Sequence, residues 1–475
     1  MLKQDIRTYG VCIGVITGSI TLGVYAYKRL FSRLPPGPFT IPFFGSPARK
    51  NELVYETNKR LAEKYGVIFS YWSGTQLKIF LNDYNLIKEA FVNRGDEFSQ
   101  APPENMSYFL KFHDRFITVD YNEDVRILKR GILQAFRGLF GSGKTLLEDR
   151  IRFELFHKFY NIKDDTPIDV GEFFKALSVN VTCSMYFGKR FEYDSKEMDE
   201  LFKLSQNYFK WFFVELTLNF TNMPLPFFLK KIIYRKAIQK SKDAIEGMRQ
   251  WVRSMMEDHD DTEDDLVSAY KKLVPEAKIE EIIDTIMFLL SDPLDVVPGV
   301  LSGLFHLVAM HPEKQQKMFE EISNSQSSFL DQSKLPYVRA FIIETLRYAN
   351  FVSNSAAHRV IKETTLQGYR IPKDADIYAN FYAVHMNEET MKDCFIFRPE
   401  RHLEDNHNII TFGIGRKSCL GEQWVRSQMY LTLVITLQKY RLEPTPGFNK
   451  LKYQSDVFHL PEKVELLFID RNKSD

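Results

Sequence analysis

Phe412-Gly413-Ile414-Gly415-Arg416-Lys417-Ser418-Cys419-Leu420-Gly421 sets one cysteine in a glycine-rich loop, and an amphipathic stretch begins directly after it, near Glu422. Gly415 and Gly421 let the backbone wrap close to the sulfur, where a Cβ would collide. Phe412 is placed to cover the sulfur from one side, and the N-terminus of the following helix favours negative charge on it. A sulfur shielded from water and fed by backbone N–H groups is a thiolate tuned to hold a metal. The alternative is a core cysteine that happens to precede a helix.

Outward from the loop, the chain is mostly helical in pattern. Apolar residues recur at helical spacing over roughly Tyr84–Asn93, Asp124–Leu139, Leu146–Tyr160 and Val170–Tyr186, then in several segments as far as Tyr348. Val67–Trp72 and Gln76–Leu81 flank Ser73-Gly74-Thr75 and read as a β-hairpin. An irregular, strand-containing stretch runs from Phe351 to Thr411, and short strands close the chain around Tyr453–Asp470. Strands and helices do not alternate, which excludes a doubly wound sheet. The pattern predicts a mainly α fold with small β-sheets.

The 475 residues would by length alone allow two or three domains, but there is no repeat or low-complexity break to divide them. Forty Phe and 23 Tyr within a 44% hydrophobic composition suffice for one large core. A net charge of +1 gives no bulk attraction for nucleic acid. The four cysteines (Cys12, Cys183, Cys394 and Cys419) lack paired spacing, as in a reducing compartment. Tyr9–Tyr27 is an uncharged run of 19 residues, about the span of a bilayer core. Lys28, Arg29 and Arg33 follow it, against Lys3, Asp5 and Arg7 before it, and this heavier flank places the body in the cytoplasm. A cleaved signal peptide is the alternative. Residues 1–33 therefore read as a transmembrane anchor with a basic flank. Leu34-Pro35-Pro36-Gly37-Pro38 reads as a stiff spacer, and 34–475 as a single domain.

The cysteine loop resembles the haem-binding signature of the cytochrome P450 family, Phe-x-x-Gly-x-Arg-x-Cys-x-Gly. Phe412, Gly415, Cys419 and Gly421 fall on its fixed positions, and Lys417 stands where the family has Arg. Lysine keeps the charge and loses the planar fork toward a haem propionate. The resemblance implies haem b (iron protoporphyrin IX), with Cys419 as axial ligand of the iron and Phe412, Gly415, Lys417 and Gly421 around it. It also implies the family's fold behind an N-terminal anchor helix. Glu344 and Arg347, at i and i+3 ahead of Phe397-Arg398-Pro399-Glu400-Arg401, are similar to the family's buried Glu-Arg-Arg core, with Arg401 as third member. Glu246 and Arg249 have the same spacing without that context, and read as a solvated helix face. His358 lies where the family often places a propionate donor. The family's Trp-x-x-x-Arg helix reads Val125 and Lys129 here, which leaves Lys129 or Arg130 to hold the propionate. The remaining cations of that helix, Arg126 and Arg137, would make a basic face for an acidic electron donor.

The oxygen-side helix departs from the family. Counted back from His311-Pro312, the segment Asp292-Pro293-Leu294-Asp295-Val296-Val297-Pro298 stands at Ala/Gly-Gly-x-Asp/Glu-Thr-Thr. Asp295 matches the acid and is the candidate for proton delivery, while Val296 replaces the alcohol that positions water. Pro293 and Pro298 remove helical N–H groups, so a kink or local opening is expected. Three readings stay open. One is a monooxygenase in which Asp295, a substrate hydroxyl or a held water replaces the alcohol. Another is an isomerase or dehydratase acting on a peroxidised lipid without O2 or electrons. The third is a haem protein with little turnover.

Two other constellations compete. Gly138-Leu139-Phe140-Gly141-Ser142-Gly143-Lys144-Thr145 fits the phosphate-loop pattern letter for letter, but the residues before it have helical spacing and not the strand such a loop must leave. Cys394, His402, His407 and Cys419 can be drawn as a zinc site, without the close cysteine pair of structural zinc.

On the substrate side, Phe98–Phe116 and Tyr208–Phe228 are rich in aromatics, among them Phe109, Phe112, Trp211, Phe212 and Phe213. Pro224-Leu225-Pro226-Phe227-Phe228 before Lys230-Lys231 makes an apolar tip with a cationic skirt, suited to a bilayer interface. Val296, Val297, Phe351, Val352 and Phe458 are pocket candidates by position. The resemblance is closest to microsomal members. It implies a lipophilic substrate (sterol, fatty acid or xenobiotic) and electrons from NADPH through NADPH-cytochrome P450 reductase, with cytochrome b5 as a second donor. It further implies an endoplasmic reticulum membrane location.

Overall fold

The computed structural model describes residues 23, 33–41, 45–46, 52–74, 76–98, 100, 123–140, 145–163, 166–220, 232–257, 259–262, 264–325, 332–405, 407–446 and 458–472. Apart from residue 23, the expected anchor run lies outside them. So do residues 101–122 and 221–231, which hold Phe109, Phe112 and the apolar tip, and the side chains of Phe212 and Phe213.

In chain order the helices are α1 (Val54–Tyr65), α2 (Tyr84–Lys88, running into a π-helical turn Glu89–Asn93), α3 (Glu123–Phe140), α4 (Leu146–Tyr160) and α5 (Val170–Phe187). Next come α6 (Lys196–Phe220), α7 (Arg235–Glu257), α8 (Leu266–Leu273), α9 (Ile279–Met310) and α10 (Pro312–Asn324). The last four are α11 (Pro336–Ala349), α12 (Phe381–His385), α13 (Arg401–Glu404) and α14 (Glu422–Lys439). Their ends follow local chemistry. Asp83 accepts from Leu86 N–H at the start of α2, and Asp169 accepts from Gly171 N–H ahead of α5. Gly188, at φ +65°, closes α5, while Pro312 and Pro336 open α10 and α11 where a missing N–H costs nothing.

The strands are few. β1 (Ile68–Ser73) and β2 (Gln76–Leu81) form the expected hairpin. β7 (Asp376–Ala379) pairs parallel to β2, and β4 (His358–Arg359) antiparallel to β7, giving one four-stranded sheet in the order β1-β2-β7-β4. β3 (Ile168–Asp169), β9 (Glu465–Asp470) and β8 (Tyr440–Pro444) make a second sheet in the order β3-β9-β8. β5 (Thr364–Leu366) and β6 (Tyr369–Ile371) make a third. The fold is mainly α with small β-sheets, as expected.

Two cores matter for the site. The larger, built on α5, α9 and α14, takes in Phe174, Leu301, Phe305 and Trp424; the smaller lies under the first sheet around Ile79, Phe91 and Ile377. The cysteine loop joins them, since Phe412 packs on the larger core and Ile414 on the smaller. Helix α9 is long and apolar enough to cross a bilayer, but 78% of its apolar window is buried within the protein, so it is a core helix.

Candidate active site

The loop is folded by its own backbone before any side chain contributes. Cys419 N–H donates to the Phe412 carbonyl at 2.8 Å, Gly413 N–H to Ile410 at 2.8 Å and Ser418 N–H to Gly415 at 3.2 Å. Gly415 stands at φ +83°, and a Cβ there would sit 2.1 Å from the Phe91 carbonyl oxygen, so only glycine fits. Gly421 differs from expectation. A Cβ there would lie 3.8 Å from Cys419 Sγ, an ordinary contact, so the protein's own atoms do not require glycine at that position. Gly421 precedes the first turn of α14. Within this half-buried loop Cys419 is the exposed residue.

Phe412 lies beneath the Arg426 guanidinium, 5.0 Å from ring centre. Lys417 lies close enough to His358 to affect its protonation. His358 is fully buried, stacked on Phe91 at 3.8 Å, with Nδ1 2.9 Å from the Phe98 carbonyl. That carbonyl can only accept, so Nδ1 carries the proton. Burial, then the Lys417 charge, pushes the His358 pKa down to about 3. In its neutral form His358 would meet a propionate with an acceptor nitrogen, so donation to one requires a second proton. Arg416, beside Lys417, pairs with Asp96. Arg130 is exposed on α3, whereas Lys129 turns inward and donates to the Arg416 carbonyl at 2.6 Å and the Ser418 carbonyl at 3.3 Å. Burial lowers the Lys129 pKa and the charge of Cys419 works against that.

Behind the loop is a buried ionic brace. Glu344 and Arg347 are 0% exposed and Arg401 is 1% exposed. Arg347 makes a two-pronged pair with Glu344, Nη2 to Oε1 at 2.7 Å and Nε to Oε2 at 2.8 Å. Arg401 Nε donates to Glu344 Oε1 at 3.2 Å, His402 Nε2 lies 2.8 Å from Oε2, and the Arg398 N–H donates at 2.9 Å. Burial would raise the Glu344 pKa, but Arg347, His402 and the Arg398 amide together hold it down at about 2. The arginines spend their remaining protons on carbonyls: Arg347 on His385 and Cys394, Arg401 on Lys392, Asp393 and Ile396. From there two links reach the loop. His385 Nε2 accepts the Ile410 N–H at 3.0 Å, and Thr411 Oγ1 donates to the Leu346 carbonyl at 3.2 Å. The other Glu-x-x-Arg pair behaves differently from the solvated face expected of it. Arg249 turns from Glu246 to Asp284 at 2.6 Å and Glu280 at 2.8 Å, tying α7 to α9.

On α9 the expected local opening does not break the helix, which is continuous through Pro293 and Pro298. The reason lies on α5. Pro293 has no N–H for the Leu289 carbonyl, and the Tyr186 hydroxyl donates to that carbonyl at 3.1 Å instead. Asp295 is held by Ser205 of α6, and burial raises its pKa despite that bond. Val297 and Phe351 are buried in the larger core, with Val296 and Phe458 packed against it. Val352 bridges to Phe458, and His459 N–H donates to the Phe351 carbonyl at 2.8 Å. Gly303 and Gly299 make room for these segments, since Cβ atoms there would fall 2.5 Å from the Phe351 ring and 2.9 Å from Leu460. Sequence reading missed Gly299, Gly303, Leu460, Tyr186 and His385. The glycines on an otherwise bulky helix were the one available signal.

The competing sites lose their geometry. Helix α3 runs to Phe140 and α4 starts at Leu146, so the phosphate-loop pattern follows a helix and no strand; residues 141–144 lie outside the described ones. His402 is engaged by Glu344 and Cys394 by Glu388, and among the described residues no three His, Cys, Asp or Glu side chains gather into a metal site. The cysteine loop does fit haem. It offers an exposed thiol in a loop where Gly415 admits no Cβ, with Lys129, Lys417 and His358 nearby.

The comparisons agree. The family model described as Cytochrome P450 matches residues 35–468. The chain is similar to Cytochrome P450 2G1 of Oryctolagus cuniculus, 29% identical over 459 residues, covering 90% of this chain and 91% of that one. It is similar to Cytochrome P450 1A2 of Mus musculus, 28% identical over 459 residues (87% of this chain, 86% of that one). Cytochrome P450 2A9 of Mesocricetus auratus is 26% identical over 457 residues (90% and 91%). With the signature loop, the fold around it and a match along nearly its whole length, the chain belongs to the cytochrome P450 family, haem b monooxygenases of the oxidoreductase class.

Proposed function

We propose that this protein inserts one oxygen atom from O2 into a lipophilic substrate (a sterol, fatty acid or xenobiotic), using NADPH electrons passed on by NADPH-cytochrome P450 reductase, with cytochrome b5 as a second donor. The observation that carries the reading is Cys419, exposed in a loop fastened to both cores. Cys419 would hold the haem iron through its thiolate, with Phe412, Gly415 and Gly421 around the sulfur, and Glu344, Arg347 and Arg401 would keep the loop's shape. Lys417 and the exposed Arg130 are the groups for the haem carboxylates; His358 joins them only on taking a second proton, and Lys129 is committed to the loop. Haem supplies the activation of O2. The apolar set Val296, Val297, Phe351, Val352 and Phe458 favours a greasy substrate and excludes water. Asp295, whose burial favours the protonated form, is the chain's proton source on this side, and Ser205 holds its carboxyl in place.

Residues 34–475 act as one haem domain, set on the cytoplasmic face of the endoplasmic reticulum by the anchor at 1–33. The position of this chain among microsomal relatives and the basic flank at Lys28, Arg29 and Arg33 support this.

Val296 favours a second reading, because valine has no group with which to position water. In that reading the protein is an isomerase or dehydratase of a peroxidised lipid and needs neither O2 nor electrons. Purified holoprotein with NADPH and reductase separates the two. Product formation that stops when the reductase is omitted supports the monooxygenase, and undiminished turnover without it establishes the second reading.

A further inference from the structure

At the helix position where the family carries a propionate-binding arginine, this chain has Lys129, and its side chain is spent elsewhere. Its ammonium donates to the Arg416 and Ser418 carbonyls, the two that flank Lys417 and lead into Cys419. The residue is held in that direction from behind. Gly131, two positions on, packs so tightly against the end of α8 that a Cβ would sit 2.9 Å from Val274, the residue that follows it, and this fixes how α3 is rotated. Val125, one turn before, is buried, and Ile132 is fully buried on the same side. A lysine on a long stem reaches two carbonyls as a point charge, whereas a guanidinium fork there would suit a carboxylate.

We infer that Lys129 is a positioning residue for the thiolate: it pins the loop carbonyls that precede Cys419 and sets a fixed positive charge beside the sulfur. The two carbonyl oxygens and an anionic sulfur all lie within reach of this one cation, and one partly buried ammonium offsets all three negative ends. The inference rests on the haem-thiolate reading. It adds that the helix cation serves the ligand loop and not the haem edge.

The test uses the full-length holoprotein and ferrous–carbon monoxide spectra in mild denaturant. The rate at which the red-shifted thiolate band converts to the shorter-wavelength band reports loss of thiolate ligation. Lys129→Met should convert about tenfold faster than the parent, as expected for a lost charge-assisted hydrogen bond, with Lys129→Arg recovering most of the difference. The haem reduction potential should fall in Lys129→Met, because a positive charge beside the sulfur favours the reduced state. A purely structural role would leave the potential unmoved. Parent-like conversion and potential in Lys129→Met would overturn the inference. So would parent-like conversion accompanied by faster haem transfer to an acceptor apoprotein, the mark of a propionate anchor. If Lys129→Met yields no holoprotein, Lys129→Gln is read by the same two measurements. The underlying reading fails separately, if the parent shows no red-shifted band or if Cys419→Ser retains it.

Discussion

Around Cys419, each bend of the chain is answered by a partner. Gly415 is pressed on the Phe91 carbonyl, Ile410 N–H is taken by His385, Thr411 is tied to Leu346, and Lys129 gathers two carbonyls. Along α9 things have been taken away instead: two amide hydrogens by Pro293 and Pro298, a hydroxyl by Val296, and side-chain volume by Gly299 and Gly303. A single tyrosine hydroxyl, from Tyr186, compensates at Leu289. The contrast fits the two tasks. On the proposed reading a ligand sulfur must be held within tenths of an ångström, and its surroundings are over-determined by charged and backbone hydrogen bonds. A substrate wall needs shape and dryness, which apolar packing supplies while tolerating substitution.

If that contrast is real, damage should be graded. Arg347→Ala leaves Glu344 buried without its main partner and should cost roughly 3–5 kcal/mol, with most haem lost; denaturant unfolding and haem content measure both. A loss below about 1 kcal/mol would mean that Arg401 and His402 suffice, and that the brace is redundant.

Acid should attack the loop side next. His385 is neutral in the fold, with a pKa of about 3 against an ordinary 6.5, mainly from burial and then from Arg347. Between those values the unfolded chain binds the extra proton, so stability falls as pH drops through that window, by roughly 1.4 kcal/mol per pH unit for each such histidine, and His358, also held at about 3, adds its own loss. Glu344 adds a second loss from about 4.5 down to about 2, because its folded pKa is depressed and its stabilising charge disappears on protonation. The thiolate band should therefore begin to fail below about pH 6.5. A band that is stable down to pH 4 would contradict the role of these buried histidines, and His385→Gln, which should lessen the loss, isolates the share of His385.

The smallest effect belongs to the other side. Tyr186→Phe removes one hydrogen bond to a proline-orphaned carbonyl and should cost about 1 kcal/mol, with the thiolate band unaltered and substrate-induced spectral change weakened. Band loss as large as that of Arg347→Ala would erase the distinction between the two sides.

Much of this was open to sequence reading. Fixed residues across a ten-residue loop singled out Cys419 as the candidate ligand, and helical periodicity placed α3, α4 and α5 to within a residue or two. The first strand of the hairpin slipped by one residue, to Ile68–Ser73, the second fell at Gln76–Leu81 as expected, and β8 was not foreseen. Side-chain direction was less accessible. The pattern that made Lys129 a propionate candidate could not show that its partners lie 287 and 289 residues away. Nor could Pro293 reveal that Tyr186, 103 residues before Leu289, would keep the helix closed.

Residue type at fixed short spacing was enough to show the family, the order of the main helices and Cys419 as the candidate ligand, because local geometry there is set by a few bonds. The tertiary structure alone decided how the loop is held and what α9 lacks. The hydrogen bonds that fasten Lys129, His385, Arg347 and Tyr186 join residues that become neighbours only once the two cores have packed.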